Sequence, residues 1–188
     1  MFQKLYKTDM ENISKYLQNS LINNKICRWN DNSINYYISP ISSNLKDYEK
    51  FEYYEIIKSA AKIWSDMGIV ALNNTDNRNL ANIIVNWTKV GRKLEGNCKY
   101  ISIINSEFKL ISIEIGLPNE FSPKKISKET ILHTALHEFG HALGLGHGTE
   151  YDDIMFVPHK KTLNKPSRND INTLKFLYSN PIGTVLNY

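Results

Sequence analysis

The 188-residue chain has few of the residues that mark specialised architectures. It holds two cysteines, Cys27 and Cys98, too few for a disulfide framework. One bridge would form if the protein is exported, and two buried thiols are the other reading. No run approaches the about 18 apolar residues of a membrane span. Neither sign of charge dominates, since 23 Lys and Arg against 19 Asp and Glu leave a net +4. The basic residues are scattered apart from Lys124-Lys125 and Lys160-Lys161, which read as solvated loops rather than a nucleic-acid face. The first residues carry Lys4, Lys7, Asp9 and Glu11. They lack the uninterrupted apolar core of a secretion signal. No internal repeat or low-complexity tract is visible. Histidine is scarce as well: there are five, and none precedes His133.

What is present is more informative. An apolar content of 41% over this length supports one domain with a core. Three of the five histidines fall in one short stretch, His137-Glu138-Phe139-Gly140-His141-Ala142-Leu143-Gly144-Leu145-Gly146-His147. His137 and His141, four apart, share a face of an α-helix and can grip one Zn²⁺ together. Glu138 points beside such an ion rather than at it, where a general base for activating water belongs. Gly144 can adopt the left-handed backbone that ends a helix. The chain then returns and offers His147 as a third ligand. A fourth position left open for water separates a catalytic zinc site from a structural one. Two His and a Glu can meet by chance on any helix; agreement at all five fixed positions is far more specific.

Asp153-Ile154-Met155-Phe156 follows the last histidine by a short loop. A zinc motif of this extended form followed by a methionine turn resembles the metzincin metallopeptidases, and among them the matrixins. Other stretches carry the same resemblance: Arg28-Trp29 with Ile34 to Ile38, Ala60 to Ser65, Leu80 to Val85, and Ser167 to Leu174 with Leu177-Tyr178. Together they cover roughly residues 28–178. The resemblance implies that Met155 lies beneath the zinc as an apolar floor. It implies an α+β fold, a single zincin-like domain with a twisted mixed sheet on two long helices and a C-terminal helix after the Met-turn. It also implies one catalytic Zn²⁺, a protein or peptide substrate, a monomer and secretion.

The chain departs from the family pattern in places. Animal matrixins usually bind a structural zinc through three His and an Asp ahead of the active-site helix, and no such His exists here, so none is expected. No Asp/Gly-rich calcium loop is apparent, which leaves calcium open. Pro158 comes three residues after Met155 rather than two, and His159 follows it. These two are candidates for the wall of the substrate pocket. Val157 stands where some metzincins place a tyrosine ligand, so no fifth ligand is expected. His133, one turn before His137, is expected to be a structural histidine.

The periodicity predicts an amphipathic helix over 2–22, taken as an N-terminal extension (1–24) to a catalytic domain (25–188). It reads either as a helix packed on the domain's flank or as a remnant of a pro-segment. Strands are expected over 33–39, 81–88, 99–104 and 109–116, with a polar turn over 73–79 and a loop over 91–97. Helices are expected over 44–66, from a Ser127 cap to about Gly144, and from a Ser167 cap to about Tyr178. By resemblance, the 109–116 strand is the sheet edge above the cleft, where an extended peptide would add as a strand. The expected activity is zinc-dependent endopeptidase cleavage with Glu138 as general base. Two alternatives stand beside it: a catalytically silent binding module that keeps its metal, and a structural zinc domain. The intact Glu138 argues against the first and the three-ligand count against the second.

Overall fold

A computed structural model describes residues 15–42, 45–89, 96–117, 126–158 and 162–186. Five strands form one sheet in the order β2-β1-β3-β5-β4: β1 (Ser33–Ile38), β2 (Ala71–Asn74), β3 (Ile83–Lys89), β4 (Gly96–Ile104) and β5 (Glu107–Leu117). The first four in that order run parallel, and β4 runs antiparallel to β5. Among the described residues, three long helices pack with the sheet: α1 (Asp47–Ser65), α2 (Lys128–Ala142) and α3 (Arg168–Ser179). The chain is therefore a single α+β domain of the expected type.

Alternation in β5 puts Ile111, Ile113 and Ile115 on one buried face, and Phe108, beyond a register irregularity with β4, is buried as well. These side chains meet Ala135, Leu136 and Phe139 of α2 and Ile57, Ala60, Ala61 and Trp64 of α1 in one core. Burying that many branched and aromatic side chains, at about 1.5–3 kcal/mol each, is what holds the layers together. Trp64 Nε1–H donates to the Leu136 carbonyl at 2.9 Å, which pins the carboxy-terminal end of α1 to the middle of α2. Trp29 Nε1–H donates to the Ala142 carbonyl at 2.8 Å and takes up one of the carbonyls that a helix end leaves without an intrahelical partner.

Two expectations need correction. The edge strand here is β4, not the 109–116 segment; that segment belongs to β5, which is flanked by β3 and β4. Asn105 and Ser106 both take positive φ, 52° and 66°, the backbone of a two-residue primed turn. That turn folds β4 and β5 into a hairpin and places β4 outermost. The burial pattern agrees, with β5 mostly buried and β4 half-buried or exposed throughout. The strand also starts earlier than expected, since Gly96 and Asn97 belong to it rather than to a loop. Secondly, β2 was not expected as a strand; Ala71–Asn74 pairs in parallel with Ser33 to Tyr36 after the α1 crossover. Such pairing depends on a distant partner and leaves little local pattern in four residues.

Of the expected amino-terminal helix, only residues 15 onward are described; 15–19 are helical and bury Tyr16 and Leu17 in the common core. Among the described residues, no helix is long and apolar enough to cross a membrane.

Candidate metal centre

Helix α2 begins as its sequence demands. The Ser127 side chain accepts from the Thr130 N–H, and Glu129 sits in the first turn, where its charge complements the helix dipole. Ten of its fifteen residues are buried. His137 and Glu138 lie in that buried part, and His141 is half-buried near the end.

The helix stops at Gly144, whose φ is +105°. The Gly144 N–H bonds to the His141 carbonyl at 2.9 Å and the Leu145 N–H to the Gly140 carbonyl at 3.0 Å. These two bonds define a Schellman ending with glycine in the left-handed position. A Cβ at Gly144 would also stand 3.0 Å from the Cys27 carbonyl oxygen. The turn redirects the chain so that His147 comes back over the helix.

The three imidazoles converge. Each offers a ring nitrogen, and these nitrogens all lie within 4.8 Å of one another. Ring centroids are 4.7 Å apart for His137 and His141, 5.0 Å for His141 and His147, and 5.6 Å for His137 and His147. The tautomers follow from the partners. His137 Nδ1 lies 2.9 Å from the Ile154 carbonyl oxygen, and His141 Nδ1 lies 2.8 Å from the Leu145 carbonyl oxygen. A carbonyl can only accept, so each Nδ1 carries a proton and Nε2 is the nitrogen left to face an ion. Partial burial pushes the His147 pKa down, which favours the neutral, ligating form. Three imidazoles with converging ring nitrogens are a donor set that suits Zn²⁺.

Glu138 is 6% exposed, and burial pushes its carboxyl up to about 8. Gly96 of β4 lies against it: a Cβ at that glycine would stand 2.7 Å from Glu138 Oε1 and 2.8 Å from its Cγ. Tyr100, two positions beyond Cys98 on β4, donates its hydroxyl to the His141 carbonyl at 3.0 Å. The edge strand therefore borders the helix that carries the histidines. Cys98 and Cys27 are free thiols, and burial pushes both up, so neither has thiolate character.

Met155 is wholly buried next to the helix. A Cβ at Gly140 would collide with its Sδ and stand 3.2 Å from its Cε, so only glycine lets the methionine lie this close. The turn itself is fixed by two buried acids. Asp153 Oδ2 accepts from the Thr149 and Glu150 N–H groups at 3.0 and 2.8 Å, and its Oδ1 accepts from the Ser167 hydroxyl at 2.6 Å. Asp170 Oδ2 accepts from the Ile154 N–H at 2.8 Å and the Ser167 N–H at 2.7 Å. Sequence reasoning assigned neither acid a role. A buried Asp two residues before the Met and another at the third position of a Ser-capped helix were the available signals.

His133 stands apart from the cluster. Its Nδ1 accepts from the Leu163 N–H at 3.0 Å, a structural contact. Pro158 is exposed just past the Met-turn, and His159 lies outside the described residues. The groups that orient the His137 and His141 rings could not be read from the sequence, because they are the backbone carbonyls of Ile154 and Leu145.

The matrixin family model matches residues 28–179. No curated protein matches the chain.

Proposed function

The chain belongs to the matrixin family of zinc-dependent metallopeptidases, and from that premise we propose that it is an endopeptidase acting on extended protein substrates. The observation that carries this reading is the convergence of His137, His141 and His147 beside a buried Glu138 under a sheet edge. His137, His141 and His147 would hold one Zn²⁺, with Met155 as the floor beneath them. When bound, the ion supplies positive charge that polarises a peptide carbonyl and acidifies water.

The remaining steps belong to the chain's own groups. Glu138 is the general base: it takes a proton from the attacking water and hands it to the departing amine nitrogen. Strand β4 pairs with β5 on one side, and its Tyr100, Ile101 and Ile104 side chains are exposed. A substrate segment would add along its other side as a further strand, held by backbone hydrogen bonds. Recognition through the backbone favours broad cleavage over narrow side-chain specificity. Pro158 and His159 would wall the pocket past the scissile bond. We further propose that the protein works as a secreted monomer.

Incubation with casein and a quenched-peptide panel, with and without a zinc chelator, tests the proposal. Cleavage is expected only with metal. Glu138→Gln should keep its zinc and lose turnover by about a hundred- to ten-thousand-fold. A Glu138→Gln variant that cleaves casein like the parent would remove Glu138 from the mechanism.

A further inference from the structure

Residues 15–22 lie outside the zinc motif and outside the stretch matched by the family, yet they hold the loop that carries the third histidine. His137 and His141 belong to a helix, and each has its ring oriented by a backbone carbonyl. His147 sits on a non-helical segment and is exposed. Neither helical hydrogen bonds nor deep burial fix it there. Its backbone is gripped from the amino-terminal side instead.

The Gly146 N–H donates to Ser20 Oγ at 2.9 Å, and the His147 carbonyl accepts from Asn19 Nδ2 at 2.9 Å. Both ends of the Gly146–His147 dipeptide are thus held by neighbouring side chains. The Ser20 hydroxyl is itself aimed, because its proton goes to the Tyr16 carbonyl at 3.0 Å. Ser20 is 4% exposed, so this acceptor competes little with water. The surfaces meet closely: a Cβ at Gly146 would collide with the Asn19 carbonyl and stand 2.7 Å from Ser20 N. The segment is anchored in turn. Tyr16 is fully buried and donates its hydroxyl to Asp170 Oδ1 at 2.6 Å. The other oxygen of Asp170 takes the Ile154 N–H, and the Ile154 carbonyl takes the His137 ring. One short stretch therefore touches the supports of two of the three histidines.

We propose that Asn19 and Ser20 are positioning residues for the metal centre, holding Gly146–His147 in its ligating pose. Residues 15–22 then belong to the metal-binding machinery rather than to an appendage. The inference rests on the three-histidine zinc reading above. Partners that orient ligands are worth about ten- to a hundredfold in metal affinity, and ordering a free backbone costs about 1–2 kcal/mol per residue. A loop released at either end should therefore bind zinc about tenfold more weakly.

The test is zinc affinity by competition with a chromophoric chelator, alongside the visible spectrum of the cobalt-substituted protein and the melting temperature of chelated protein. Asn19→Asp keeps the side-chain shape, removes the donor and sets a carboxylate against the His147 carbonyl. Asn19 is exposed, so this variant is expected to fold. Ser20→Ala removes the other contact. The expected result is about tenfold weaker zinc binding in each and a shifted cobalt spectrum, with the chelated Asn19→Asp protein melting as the parent does. Parental zinc affinity and an unchanged cobalt spectrum in Asn19→Asp overturn the inference, whatever Ser20→Ala does. His147→Ala separates the two levels of the argument. If it loses zinc while Asn19→Asp does not, only the positioning role fails. If it binds zinc like the parent, the three-histidine reading fails too.

Discussion

Adding one methyl group at Gly96 should disable turnover while leaving the metal in place. Gly96 opens β4 and faces α2. A Cβ there would stand 2.5 Å from Thr134 Cγ2, 2.7 Å from Glu138 Oε1 and 2.8 Å from Glu138 Cγ. Ordinary contact begins at 3.4 Å, so the gap must open by 0.9 Å (3.4 − 2.5) at Thr134 and 0.7 Å (3.4 − 2.7) at the carboxylate. Thr134 and Glu138 are 4% and 6% exposed, which leaves neither side chain room to swing into solvent. Helix α2 is tied down by the Trp29 and Trp64 hydrogen bonds. Either the carboxylate moves or the edge strand lifts off. Overpacking of this kind costs about 1–3 kcal/mol of stability. Displacement approaching 1 Å in a reacting group costs about a hundredfold in rate. The three atoms nearest the added carbon are on Thr134 and Glu138 and none is an imidazole, so zinc should remain. The assay is kcat/KM on a quenched peptide, with zinc stoichiometry and thermal midpoint measured on the same sample. Expected are a rate near one-hundredth of the parent's and a full complement of zinc. Parental turnover in folded Gly96→Ala would refute the claim that β4 seats the Glu138 carboxylate.

Two further perturbations follow from the same packing and electrostatics. Gly140→Ala should destabilise the protein by about 1–2 kcal/mol in urea, because overpacking against wholly buried Met155 and Trp64 exceeds the about 1 kcal/mol of helix propensity gained; a stabilised variant would contradict the close seating of the methionine. In metal-free protein, burial raises Glu138 from 4.5 to about 8, so the fold holds a proton that the unfolded chain releases. The stabilisation is complete below about pH 4.5 and is lost as the pH rises through about 8, an effect of at most about 5 kcal/mol. Denaturation of chelated protein at several pH values should show this decline, and Glu138→Gln should flatten it. An equal slope in both proteins would show that the carboxyl is not held neutral by burial.

The parts of the fold legible in the sequence are those fixed by near neighbours. Ser127 and Ser167 cap α2 and α3 as expected, because a side-chain oxygen reaching an N–H three residues on is a local event. Gly144 ends α2 for the same kind of reason. His137 and His141 share a face because their spacing dictates it, and one left-handed residue turns the chain back toward them. Less legible was whatever depends on distant chain. Strand β2 exists through its pairing with β1 across a helix. The identity of the edge strand depends on which way the Asn105-Ser106 hairpin folds against β3, and alternation alone does not say. The Nδ1 partners of His137 and His141 are carbonyls, and every residue carries one. The grip of Asn19 and Ser20 on the His147 loop spans more than a hundred residues, and no spacing rule reaches that far.

The most direct measurement is X-ray absorption at the zinc edge on protein loaded with one equivalent of metal, compared with the three single His→Ala variants at 137, 141 and 147. Three imidazole nitrogens at ~2.0–2.1 Å and one light-atom donor not supplied by a side chain are predicted, with one imidazole lost in each variant. Four side-chain donors around the ion, or a parental spectrum in any of the three variants, would contradict the account.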